Sequence, residues 1–124
     1  MFQAAKSWIK KLKATRLIIA EKLELKAETL KVDGAVSIST PLTILDTTDE
    51  ALTLTLADGY QGQVKTIIMT TRPGSYDAIV TANLDNYGGG AKTTLTFNAV
   101  GETWVGIFYG SEWYSLGTPT ATVG

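Results

Sequence analysis

With no histidine and no cysteine in the chain, any chemistry has to come from carboxylates, lysines, amides, hydroxyls and aromatic rings. The commonest general base and the commonest soft metal ligands are both missing. Asp46, Asp49 and Glu50 form one acidic cluster in ILDTTDE. A calcium loop needs roughly six to eight oxygens and an Asp-x-Asp-x-Asp-Gly spacing. This cluster lacks that spacing, and a turn or capping role is the expectation. Asp77, Asp85, Glu102 and Glu112 could supply the paired carboxylates of a glycosidase, but they fall on separate turns and nothing in their spacing brings two together. The Gly88-Gly89-Gly90 run has no Lys-Ser/Thr after it and opens no helix, so it is no phosphate loop. These absences point to a protein with no catalytic residues, no metal and no cofactor.

The aromatic residues are the other candidates. Tyr60, Tyr76, Tyr87, Trp104, Tyr109, Trp113 and Tyr114 are numerous for 124 residues. Rings at hairpin tips can stack on sugars; here Trp104 and Trp113 are expected in the core or between subunits, and Tyr76 and Tyr87 on loops. Charge is divided unevenly. Residues 1–31 hold seven lysines and one arginine against three glutamates, a net of +5. Residues 32–124 hold three basic and nine acidic side chains, a net of −6. A basic appendage on an acidic body follows, suited to an acidic partner surface. Its aromatics, Phe2 and Trp8, come with no groove-reading pattern, so specific nucleic-acid binding is not expected. No apolar run reaches the ~18 residues of a membrane span, and the opening stretch is too short for a secretory signal.

Three zones would position these groups. In residues 1–14, Phe2, Ala5, Trp8, Ile9 and Leu12 recur at helical spacing, with Lys6, Lys10, Lys11 and Lys13 off that face or at its edge. The expectation is a short basic amphipathic helix whose residues Phe2, Lys6, Trp8, Ile9, Lys10, Lys11, Leu12 and Lys13 anchor the protein to a partner. Residues 15–50 read as an extended β arm or shaft of short alternating strands, punctuated by Asp33-Gly34 and Thr40-Pro41, with a continuation of the helix through Ile19, Leu23 and Leu30 as the alternative for residues 15–31. Leu23, Leu25, Leu30, Val32, Val36 and Ile38 would cover one another between protomers, because such strands cannot bury a face alone. Residues 51–124 predict an antiparallel β-sandwich or jelly-roll-like module. Leu52, Leu54 and Leu56 alternate with polar residues. Gly110-Ser111 closes the clearest hairpin, with Phe108 opposite Trp113 and Ile107 opposite Tyr114. The tail from Thr118 to Gly124 is expected to fray or drape.

The second and third zones carry a resemblance. LKVDGAVSI resembles the shaft repeats of trimeric phage fibres. The later run of Leu56-Ala57-Asp58-Gly59, Gly62-Gln63-Val64-Lys65, Ile68-Met69, Thr94-Leu95-Thr96-Phe97, Ala99-Val100-Gly101-Glu102-Thr103-Trp104 and the hairpin ending at Trp113 is similar to a β-module of tailed-phage virion proteins, on heads and on fibres. The loop of Arg72 and Tyr76 and the Gly88–Gly90 insert depart from it. The resemblance implies a structural homotrimer in a virion. The first expectation is a capsid decoration (cement) protein binding a major capsid protein or another virion protein; the alternative is a short tail fibre or receptor-binding protein touching host glycans.

Overall fold

The computed structural model describes residues 25–85 and 89–124. The amphipathic segment 1–14, with its proposed anchoring residues, lies outside them, as do Leu23 and Tyr87. The described chain is mainly β. Its strands are β1 (Ala27–Leu30), β2 (Gly34–Ala35), β3 (Leu42–Asp46), β4 (Leu52–Thr55), β5 (Val64–Thr71), β6 (Ala78–Leu84), β7 (Lys92–Phe97), β8 (Thr103–Tyr109), β9 (Glu112–Ser115) and β10 (Thr122–Val123).

They form one curled sheet with two limbs. The first runs β1-β3-β5-β8-β9; in the second, β6 lies between β4 and β7, with β2 and β10 outside them. The limbs join where Leu84 pairs with Trp113 and the Asp85 amide donates to the Trp113 carbonyl, 3.0 Å. From β1 to β6 the chain changes limb at every connection, so neighbours within a limb are parallel: β1 with β3, β3 with β5, β2 with β4, β4 with β6. Antiparallel pairing begins only later, at β6–β7, β5–β8, β8–β9 and β7–β10.

The antiparallel expectation is therefore corrected to a mixed sheet. Asp33-Gly34 is no hairpin turn: it carries the chain from β1 in one limb to β2 in the other. Strands from both sides of residue 50 share this sheet. The tail is also corrected, since β10 pairs antiparallel with β7 and Ala121 is buried.

Both limbs turn alternate side chains into one apolar core. The first contributes Leu45, Ile67, Met69, Trp104, Phe108 and Trp113; the second contributes Leu52, Leu54, Val80, Leu84, Leu95 and Phe97. Each fully buried aliphatic or Phe side chain stabilises the fold by roughly 1.5–3 kcal/mol. Trp113 stands at the join. Its ring meets Trp104 edge-on at 6.0 Å and Phe108 at 5.3 Å, and its Nε1 donates to the Ala57 carbonyl at 3.0 Å. The Trp104 ring lies over Gly106, where a Cβ would come within 2.1 Å of it. The expected hairpin is present in the expected register, with Gly110 at φ +67° opening its turn.

Candidate interaction surface

Outward-facing side chains distinguish the limbs. On the first, β3 turns out Leu42 and Ile44, β5 turns out Val64 and Ile68, and β8 turns out Val105 and Ile107. Tyr114 of β9 and the following Leu116 continue the patch. Cross-strand pairing places them side by side: Ile44 beside Ile68, Val64 beside Ile107, Ile107 beside Tyr114. Val64, Tyr114 and Leu116 are 46%, 41% and 47% exposed. Thr66 and Thr103 interrupt the patch without adding charge. Among the described residues, charges stand at its margins, at Glu112 and at Asp46, which Lys31 approaches to 3.6 Å. On the second limb, Thr53, Thr55, Thr81, Thr94 and Thr96 face outward, and Ile79 is the one large apolar residue among them.

Glu28 of β1, the connection between β2 and β3, and the start of β5 build the most polar buried site among the described residues. Lys65 shares the inward face of β5 with Ile67 and Met69 and is fully buried. Its Nζ donates to the carbonyls of Ser37 at 2.8 Å and Thr40 at 2.5 Å. Gln63, also buried, donates from Nε2 to the Ile38 carbonyl. Glu28 Oε1 accepts from Ser37 N at 2.8 Å and Thr43 Oγ1 at 2.6 Å, and lies 4.0 Å from Lys65 Nζ. Burial pushes the Lys65 ammonium down to about 8, while the Glu28 carboxylate opposes that shift. These contacts fasten the 37–41 loop across the end of the core.

The acidic side chains serve turns. Asp46 Oδ1 accepts from Thr48 Oγ1 at 2.6 Å and Thr48 N at 2.9 Å, which holds its carboxyl below the usual range, with Lys31 adding to the effect. Arg72 Nη2 donates to Asp77 Oδ1 at 2.8 Å and its Nε to the Tyr76 carbonyl at 3.1 Å. Glu102 Oε2 accepts from the amides of Asn98 and Ala99 at 2.6 and 3.2 Å. Asp58 accepts from Asn83 at 2.8 Å, at the floor of an open groove of about 530 Å³ lined also by Thr81 and Thr93. Among the described residues no three Asp or Glu side chains gather as a metal site.

The proposed inter-protomer residues are dispersed in the single chain. Leu25, Val32 and Ile38 are exposed, Leu30 is partly buried against the core, and Val36 is buried within it, its amide bonded to the Thr55 carbonyl at 2.8 Å. The first-limb patch was missed in the sequence, although Ile67-Ile68-Met69 and Ile107-Phe108 break the alternation of a strand with one wet face. Tyr60 and Tyr109 are each 69% exposed. Their turns are clasped by Gln61, which donates to the Gly110 carbonyl at 3.0 Å and accepts from its amide at 2.8 Å. Comparison of the chain with known protein families and with curated proteins finds no match.

Proposed function

We propose that this chain is a non-enzymatic structural protein of a tailed-phage virion: a homotrimeric capsid decoration protein that binds and stabilises the outer capsid shell. The observation that carries an assembly role is the uncharged apolar patch on the outer face of the first limb. Exposed apolar patches of this size are often contact sites. The fastened loops and turn-bound carboxylates fit a rigid building unit. The virion setting comes from the resemblance of the β-module and the shaft-like LKVDGAVSI, with the basic residues 2–13 assigned to docking on an acidic shell. A short basic helix before the sheet, a shaft-like segment 15–50 and a sandwich-like body are the finer parts of this reading.

Sedimentation equilibrium and protein copy number in purified particles test it. A trimer at micromolar concentration and hundreds of copies per particle are the expected results. A folded monomer absent from particles would overturn the proposal. A few dozen copies or fewer would move it to the second reading, a short tail fibre or receptor-binding protein. The clasped, exposed Tyr60 and Tyr109 favour that reading specifically, as rings available for stacking on host glycans. A glycan array probed with the intact protein and with Tyr109→Ala separates the two.

A further inference from the structure

We propose that copies of this chain meet through the outer face of the first limb, making the patch on β3, β5, β8 and β9 the interface between protomers. This rests on the reading of the protein as a homo-oligomeric building unit and says which surface builds the oligomer.

Size argues first. Four strands about 4.8 Å apart, each about five residues long, cover roughly 330 Å². That matches the largest apolar patch of a typical monomer, ~300–600 Å². It is less than half of the ~800 Å² per partner that a standard interface buries, as befits the apolar centre of a contact with a polar rim.

Charge argues for the identity of the occupant. Residues 32–124 carry a net charge of −6 within a chain of net charge −1, so two copies of this part pressed together at random meet acid with acid. The first-limb face is where they do not: between its margins at Asp46 and Glu112, its outward residues on β3, β5 and β8 are uncharged. An anionic surface would need lysines there, and a basic partner would need carboxylates. An uncharged face rich in Val and Ile fits another of its kind, and β faces stack at about 10 Å with side chains interdigitated. The threonine face of the second limb, with hydroxyls that remain solvated, has no comparable gain from contact.

The test is sedimentation equilibrium of the full chain and three variants. Ile68→Asp and Ile107→Lys place a charge at the centre of the patch; Thr81→Asp places one on the second limb. Ile68 and Ile107 point away from the core, so far-UV circular dichroism should be unchanged. Should either charged variant fail to fold, Ile68→Thr removes apolar area while keeping a β-branched residue. The expected result is association weakened by more than about a hundredfold in the charged first-limb variants and unaltered in Thr81→Asp. An oligomer indifferent to all the first-limb changes would overturn this interface and leave the assembly reading standing. A wild-type protein that is a folded monomer at every micromolar concentration would overturn both. If removal of residues 1–24 then made that monomer associate or bind a hydrophobic dye, the chain's own N-terminal segment would be the occupant.

Discussion

The two limbs of the sheet share one core and differ in what they show to the outside. In the second limb, LTLT of β4 and AIVTANL of β6 alternate strictly between buried and exposed, the pattern of a strand with one dry face and one wet face. In the first, β5 and β8 have a mixed outward face, polar at Thr66, Thr70 and Thr103. Their outward positions hold Val64, Ile68, Val105 and Ile107, and most are only partly covered. The difference teaches where solvent is expected in the working protein. A threonine hydroxyl stays hydrated, whereas each partly exposed Ile or Val gains further by leaving water, at roughly 25 cal/mol per Å² of apolar area.

The largest effect should come from breaking what the limbs share. Trp113→Ala removes the ring that packs on Trp104 and Phe108 where the limbs join, and should cost ~3–5 kcal/mol in urea unfolding. An unchanged midpoint would mean that the limbs hold together without it. Gly106→Ala affects the first limb alone. Its Cβ would sit 2.1 Å from the Trp104 ring, and the overpacking should cost ~1–3 kcal/mol, with a changed near-ultraviolet signal from Trp104. Retention of that signal would show that the ring relaxes freely.

Lys65→Met tests the fastening at the end of the core. It leaves the Ser37 and Thr40 carbonyls without their donor and Glu28 without its cation, at a cost of ~1–3 kcal/mol. The same variant isolates a pH effect. Folded Lys65 loses its proton near 8, and the unfolded lysine near 10.5. Between those values the unfolded chain binds more protons, so this residue's contribution to stability rises with pH across that window. Wild-type minus Lys65→Met stability, measured by urea unfolding from pH 7 to 10.5, should increase; a flat difference would sink the assignment.

The smallest effects on unfolding sharpen the comparison most. Ile44→Thr on the first limb and Thr81→Ile on the second should each change monomer stability by less than ~1 kcal/mol. Their effects on association should be opposite in direction: weaker self-association for Ile44→Thr, and new concentration-dependent association for Thr81→Ile. Equal behaviour of the two in sedimentation velocity would remove the distinction between the faces.

Much of the local structure was legible. The hairpin at Gly110-Ser111 and the pairing of Phe108 with Trp113 follow from a two-residue turn flanked by apolar residues, and the inward Leu52 and Leu54 follow from alternation. Lys65 was not legible. A lysine two residues before Ile67 reads as the solvated start of a strand, and only the 37–41 loop folding across it supplies the carbonyls that make its burial tolerable. Val36 was equally opaque, because its place in the core depends on β2 pairing with β4 within the second limb.

Strand positions, the main turns, the aromatic core and the opposed charges of the two halves are determined by the sequence itself, because period-2 hydrophobicity, turn chemistry and net charge are local properties. Which strands pair was decided by the tertiary structure. β1, β3 and β5 stack in parallel because the chain crosses between limbs after each one, and no neighbouring residue encodes a partner contributed by a later crossing. The same stacking gathers Ile44, Ile68 and Ile107 from three separate segments onto one face, and so creates a surface that no single strand possesses.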